Sequence, residues 1–434
     1  MSRAFVDAGV RRYPNRAGEA KNTDPVNANR SAEEGQYPHW RRNLKVLPLS
    51  NLIVCLGFAI SWPFLPLIVR SLGVGSRLET WVGYMALGFY AVSFVMNPVW
   101  GGIADHYGRK IMVLRATLGM GLLMMLVPFA PTPLWFAGLL MLVAVFNGST
   151  AAATALLVAN TPPRRIGRAL SLAQTGVLVG QTLGPAAGAM LAAVLARPHS
   201  LFWASGALLI GAGVLVAAYV GEVRRVVPGP WRLRWIGSLR ELVAAPRVAP
   251  LFFLSFLFAV MWSGNVPIMS VYVLQLLGSE AGAAGREAFW IGAVALGLGV
   301  SAIVAMPLWG RVLDRKDPAR VLAFATGAAA LAQLPLIALE TPPQLVLARV
   351  AFGLCAAGMQ PAIMRLLKDH APKGMDARAI AYAASFQFMA MGLAPFSAGV
   401  IGPMLGLRAY FALTIALTLC GLALWLRSGR RARN

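Results

Sequence analysis

Residues 97–110 read Asn-Pro-Val-Trp-Gly-Gly-Ile-Ala-Asp-His-Tyr-Gly-Arg-Lys, and residues 306–316 read Met-Pro-Leu-Trp-Gly-Arg-Val-Leu-Asp-Arg-Lys. Both contain Pro-x-Trp-Gly-x-x-x-Asp followed by basic residues, with Asp105 and Asp314 standing 209 positions apart. Around each copy one long apolar run ends, a tight polar loop follows, and a second apolar run begins. The repeat predicts two similar halves, each with a charged hairpin at the same place.

Composition says what surrounds those hairpins. The chain has 434 residues, 58% hydrophobic and only 13% charged, whereas a soluble domain carries about 25% charged residues. Its apolar runs are long enough to cross a bilayer core as helices, which takes roughly 20 residues each. Twelve spans are expected near 46–70, 81–104, 111–130, 133–159, 168–196, 201–220, 250–277, 288–310, 320–339, 343–368, 378–405 and 409–427. The fold class is therefore an all-α integral membrane protein, twelve transmembrane helices arranged as two pseudo-symmetric six-helix bundles.

The net charge of +23 would suit a nucleic-acid binder, but its distribution argues for a membrane. With the N-terminus in the cytoplasm, 33 of the 39 Lys and Arg fall in the tails and the inner loops. Arg70, Arg77, Arg197, Arg286 and Arg408 fall outside, and Arg349 alone lies deep in a span. Such alternation is the positive-inside pattern and sets both termini in the cytoplasm. Nucleic acid is excluded as a partner, because it would explain the total and not the alternation.

The expected organisation follows. Residues 1–43 form a disordered cytoplasmic tail without the apolar core of a secretory signal. Residues 44–220 form the N-terminal six-helix bundle, 221–249 a cytoplasmic linker, 250–427 the C-terminal bundle, and 428–434 a basic tail. In the linker Trp231, Trp235, Leu239 and Leu242 make one apolar face suited to lying on the membrane surface. Cys55, Cys355 and Cys420 fall within spans and show neither metal spacing nor a disulfide framework. No metal and no other cofactor is expected.

The halves correspond beyond the hairpin. Span 5 carries Gly176, Gly180, Gly184 and Gly188, four apart and so on one helix face, with Pro185 beside them. A shift of 210 places Phe386, Ala390, Ala394, Ala398 and Pro395 in span 11, and maps Arg168-Ala169 onto Arg378-Ala379. At a shift of 205, Asn147-Gly148 pairs with Phe352-Gly353. Parallel six-helix repeats suit a transporter whose substrate sits between the halves.

Gly101-Gly102-Ile103-Ala104-Asp105-His106-Tyr107-Gly108-Arg109-Lys110 resembles the signature between spans 2 and 3 of the major facilitator superfamily. The usual form is Gly-x-Leu-Ala-Asp-Arg-x-Gly-Arg-Lys, and His106 departs from it. Gly176-x3-Gly180-x3-Gly184-Pro185-x2-Gly188 resembles the span-5 motif of that superfamily's antiporters. The resemblance covers about residues 44–427 and is closest to the twelve-span drug:proton antiporters of the multidrug-resistance type. A second departure lies in span 4, where the family's Arg four residues before Gly148 is Ala144 here; the second half has Arg349 four residues before Gly353.

The resemblance implies a conformational latch: Asp105, framed by Gly101, Gly108, Arg109 and Lys110, contacts the start of span 11 near Arg378. A carboxylate is favoured at the positive end of a helix. By the repeat, Asp314 faces the start of span 5 near Arg168, and the latch as a whole favours the outward-open state. The stripe Gly176, Gly180, Gly184, Pro185 and Gly188 lets another helix approach closely, either as packing alone or as a seal against leak. Spans 1, 4, 7 and 10 line the cavity in this superfamily and offer Asn51, Ser61, Trp62, Asn147, Trp262, Asn265 and Gln360. Arg349 either meets substrate or anchors helices by bonding carbonyls.

None of the 16 acidic residues falls at mid-membrane, and all four His lie outside the spans. A neutral or anionic compound is thus the better substrate expectation than a lipophilic cation. The expected function is secondary active export of a small amphipathic molecule from the cytoplasm across a bacterial inner membrane. The resemblance implies alternating access, protons as coupling ion and a monomer in the lipid bilayer. Export of an endogenous metabolite such as a siderophore is the alternative. A membrane-embedded enzyme would need clustered acid/base or metal residues, and a sensor an added soluble domain. Neither is visible, and no phosphate-cradling Gly-rich loop suggests ATP drive.

Overall fold

The computed structural model describes residues 37–431 except 75–76, 163–164, 196–198, 223–234, 246, 279–283 and 373–374. At a few helical positions, Gly101, Asp105 and Arg378 among them, only the backbone belongs to the described set. Among the described residues, twelve helices are long and apolar enough to cross a membrane. Spans 1–6 are Trp40–Ser71, Leu78–Tyr107, Arg109–Phe129, Pro133–Ala159, Ile166–Leu195 and Ser200–Tyr219. Spans 7–12 are Val248–Leu277, Ala284–Arg315, Pro318–Ile337, Pro342–His370, Asp376–Leu405 and Leu407–Arg431. Each expected span is present, with ends shifted by up to six residues.

Several spans are broken, and the breaks have local causes. Span 4 is interrupted at Asn147-Gly148, where Gly148 takes φ 111°, a conformation that glycine tolerates and a side chain resists. Span 10 is interrupted at Ala357-Gly358. The counterpart of Gly148 is therefore Gly358, at a shift of 210, and the pairing with Phe352-Gly353 is corrected. Phe352 and Gly353 lie inside an unbroken helix. Span 7 contains a π-helical turn over Val260–Gly264.

The repeated Pro-x-Trp-Gly explains how the two breaks are held. Trp100 Nε1 donates to the carbonyl of Val145 at 2.7 Å, and Trp309 Nε1 donates to the carbonyl of Leu354 at 2.7 Å. The partners are 45 residues apart in both halves. Each Trp thus satisfies a carbonyl that a broken helix leaves without its usual N–H. A Cβ at Gly358 would overlap the Trp309 ring, so the ring's seat needs glycine.

The glycine stripe packs span 5 on span 1. A Cβ added at Gly176, Gly180 or Gly188 would overlap the carbonyl oxygen of Pro48, Leu52 or Ile60, and one at Gly184 the Ala59 side chain. Across the repeat, Ala390 and Ala394 of span 11 cluster with Ala259 and Val260 of span 7. Phe386 stacks on Phe252 at 5.3 Å.

The hairpin's Gly108-Arg109-Lys110 braces its own half. Gly108 has φ 103°. The Arg109 and Lys110 amides, at the start of span 3, donate to the two carboxylate oxygens of Glu222 at 2.7 and 3.1 Å. Their side chains donate to the carbonyls of Ala155 and Ala217. Of the linker, residues 223–234 lie outside the described residues, so Trp231 is not placed; the side chains of Trp235 and Leu239 are likewise outside them. A helix runs over Trp235–Ala244, and Leu242 is fully buried in the core of the second half. That residue is a core anchor, not part of a membrane-surface face.

Candidate functional site

A cavity of about 510 Å³ lies between the halves. Spans 1, 4, 7 and 10 contribute Trp62, Asn147, Trp262, Arg349 and Gln360 to its walls. Spans 2, 5, 8 and 11 also contribute, through Phe89 and Tyr90, Gln174 to Pro185, Ile291 to Met306, and Gln387 to Met391. Those four spans were not anticipated as walls, because their inward residues are few and neutral. Among the described lining residues there is no Asp, Glu, Lys or His, and Arg349 is the one charge.

Arg349 is 2% exposed. Its Nη1 and Nη2 donate to the carbonyls of Met261 and Trp262 at 3.3 and 3.4 Å. These carbonyls belong to the π-helical turn of span 7, whose wider winding disrupts the regular i to i−4 ladder. The guanidinium also sits 5.1 Å from the Phe352 ring centroid, within cation–π range. Nε has no partner among the described residues. Long neutral contacts steady the charge without cancelling it, so the site keeps a positive potential.

Two further polar devices reach the cavity. Gln387 Nε2 donates to Ser255 Oγ at 2.9 Å and to Gln360 Oε1 at 2.8 Å. Pro185 and Pro395 lie inside the continuous helices of spans 5 and 11 and, having no N–H, leave the carbonyls of Gln181 and Met391 without their usual i+4 donors. Gln181 and Met391 both line the cavity. Aromatic rings form the apolar wall: Phe58, Trp62, Phe89 and Tyr90 pack together, and Tyr90 reaches Phe388 across the halves.

Some expected cavity residues are committed elsewhere. Asn265 is fully buried and accepts from the Tyr410 hydroxyl at 2.7 Å, outside the cavity lining. Asn51 faces Thr154, and Ser61 bonds the Phe58 carbonyl. Asn147 lines the cavity but spends its side chain on Ser93 and on the Gly148 amide.

The span-3 residue Arg115 is a part of the site that the motifs did not single out. It lies 3.6 Å over the Trp100 ring and within hydrogen-bond reach of the Asn147 carbonyl at 3.5 Å. The repeat puts Phe324 in its place, its ring tilted against Trp309 with centroids 6.1 Å apart. A residue able to cover the ring, Arg or Phe, 15 positions after the motif's Trp in both halves was the signal available.

The halves meet at the end away from the hairpins. Gly83 lies against the Pro395 carbonyl, Tyr84 against Phe396, and Gly292 against Pro185 and Ala189. Thr80 donates to the Gly399 carbonyl at 2.8 Å. On the hairpin side, the wall residues Gln174 and Met306 are exposed. Asp314 and Arg168 are exposed too, and neither has a hydrogen bond or ion pair among the described residues. The side chains of Asp105 and Arg378 lie outside the described residues.

The profile described as Major Facilitator Superfamily matches residues 49–341 and 251–434. Multidrug resistance protein MdtG of Salmonella paratyphi C is 32% identical over 402 residues, which are 91% of this chain and 97% of that protein. The same protein of Salmonella arizonae is 32% identical over 388 residues, 88% and 94% of the two chains. Among solved structures, a bacterial homologue of the human lysosomal transporter Spinster, in an inward-facing and unoccupied conformation, aligns with TM-score 0.72. It is 13% identical and covers 91% of this chain and 97% of its own. The human organic anion transporter MFSD10 (TETRAN) aligns with TM-score 0.65 at 17% identity, covering 89% and 99%.

Proposed function

We propose, from the premise that this chain belongs to the Major Facilitator Superfamily, that it exports small amphipathic molecules of neutral or anionic charge from the bacterial cytoplasm. The family and the MdtG relatives make it a secondary transporter and not an enzyme. Export is the direction of transport that would give the multidrug resistance for which those relatives are named, and the span-5 glycine motif agrees with it.

One observation carries the substrate class: a cavity with a single buried guanidinium and no carboxylate among its described lining residues. A cationic ligand entering there gains no opposite charge and meets a like one, which costs more as water is excluded. An anion or a neutral molecule with acceptor groups meets Arg349, Gln360 and Gln387 against aromatic walls, the usual few polar groups in an apolar pocket.

Alternating access by movement of the halves is part of the reading. With the hairpins in the cytoplasm, as the positive-inside pattern argues, the distal contacts are a periplasmic seal and the conformation is inward-facing. Proton influx supplies the drive.

The test measures accumulation of fluorescent anionic, neutral and cationic compounds in cells with and without the protein. Anionic and neutral compounds should be depleted, and a proton uncoupler should abolish the depletion. Export confined to cations would overturn the charge assignment, and export indifferent to the uncoupler would remove proton coupling.

A further inference from the structure

Four long polar side chains at the distal end are not used by the cavity. Arg70, in the last turn of span 1, donates from Nη2 to both carboxylate oxygens of Glu287 at 2.6 and 2.7 Å. Glu287 sits in the first turn of span 8, in the other half, and is 1% exposed. Gln275, near the end of span 7, donates from Nε2 to Oε1 of Glu79 at 2.8 Å. Glu79 is in the first turn of span 2.

These two contacts are images of each other. Glu79 and Glu287 lie 208 positions apart, and Arg70 and Gln275 lie 205 apart, both close to the repeat distance of 209. In each, the end of the first span of one half reaches the first-turn carboxylate of the second span of the other. The repeat duplicates the geometry but substitutes Gln for Arg, so one contact is an ion pair and the other a single hydrogen bond to a charge.

We infer that Arg70–Glu287 and Gln275–Glu79 are the paired bolts of the distal gate, deliberately unequal, with the ion pair holding the gate shut and Gln275 keeping it openable. The inference rests on the transporter reading for its purpose, and on the cross-half geometry alone for its existence. Glu287 is buried whereas the Arg70 side chain is 37% exposed, so the ion pair gains its strength from the buried carboxylate. Neutralising Glu287 removes a charge-assisted contact that only the closed gate makes and so favours the open gate. An Arg at position 275 makes the second contact an ion pair and favours the closed gate.

The experiment uses the full chain with its three native cysteines replaced, and spin labels at Pro131→Cys and Gly285→Cys. Both positions are exposed at the distal end, one in each half. Distances are read by pulsed electron spin resonance without any substrate. The parent should give mainly one short distance. Glu287→Gln should raise the ratio of long to short component about tenfold, a shift of ~1.4 kcal/mol. Gln275→Arg should deplete the long component and slow transport of an anionic dye several-fold. The charge exchange Arg70→Glu with Glu287→Arg should restore the short distance, which separates gating from misfolding. An unchanged distribution in Glu287→Gln, or no restoration by the exchange, overturns the inference. If the distances respond as stated while no compound is transported, the gate stands and the transporter reading fails.

Discussion

Gly180→Ala is the sharpest probe of the packing. An added Cβ would overlap the Leu52 carbonyl oxygen and lie 2.8 Å from the Leu56 nitrogen and 2.9 Å from the Cys55 Cβ. Two of these three atoms are backbone, which cannot turn aside as a side-chain tip can. Span 5 must retreat from span 1 by roughly an ångström, and neighbouring contacts at Gly176 and Gly184 loosen with it. Overpacking of this kind costs about 1–3 kcal/mol, against up to ~1 kcal/mol gained in helix propensity. With the full propensity gain, the net expectation is a loss of up to about 2 kcal/mol by these terms. Gly211→Ala in span 6 is the matched control, since nothing lies within 4 Å of its Cβ; there the propensity gain stands alone. Thermal denaturation midpoints in detergent, measured side by side, should move in opposite directions. Transport should also fall in Gly180→Ala, because Gln181, Thr182 and Pro185 on the same span line the cavity. If both variants shift the midpoint the same way, the stripe is not the close contact described here.

Trp309→Phe removes the donor to the Leu354 carbonyl at the span-10 break, an exposed hydrogen bond; a loss of about 0.5–1.5 kcal/mol is expected, read as a lowered denaturation midpoint. Arg349→Gln should raise the KM for an anionic dye at least tenfold while sparing a neutral one, and Arg349→Lys should restore the charge preference only in part, because an ammonium lacks the planar fork. At the distal loop, His199 contacts Ser71 at 2.8 Å, and burial holds its imidazole below the ordinary value of 6.5. A depressed histidine pKa favours the neutral folded form, so this contribution is complete above pH 6.5 and is lost as pH falls through the lowered value. The midpoint difference between the parent and His199→Gln should therefore shrink in acid, and a difference that grows there would refute the sign.

Much of this architecture was legible because bilayer thickness dictates span length and prolines mark the turns: Pro133 and Pro342 open spans 4 and 10. The repeat was legible at its hairpins, where Trp and Asp are spaced identically. It was misread at span 10, because Phe352-Gly353 offers a nearby glycine and the true partner, Ala357-Gly358, is recognisable only from Trp309 lying against it. Arg349 was visible as a lone charge, but its setting was not. A π-helical turn has no local signature, and it is the tertiary approach of the guanidinium that gives its carbonyls a donor. The distal bolts were hidden for a related reason. Arg70 and Glu287 looked like ordinary loop-edge charges, and only the topology brings spans 1 and 8 together.

Spans 2 and 8 are levers with a carboxylate at each end. Glu79 and Asp105 are 26 residues apart and Glu287 and Asp314 are 27 apart, or about 40 Å of helix, close to the ~40–45 Å of a bilayer with its headgroups. A rigid helix that long cannot engage the opposite half at both ends while the halves rock about a central site. In this conformation the distal carboxylates are engaged and Asp314 is exposed. The proposed hairpin latch and the distal bolts therefore pull one equilibrium in opposite directions. Asp105→Asn weakens the outward-facing state and should leave a correctly inserted protein with little transport. Glu287→Gln weakens the inward-facing state. If the two act on one equilibrium, combining them returns the population toward balance, and the double variant should transport better than Asp105→Asn alone. A double variant no better than the single would mean that the two ends are not mechanically coupled.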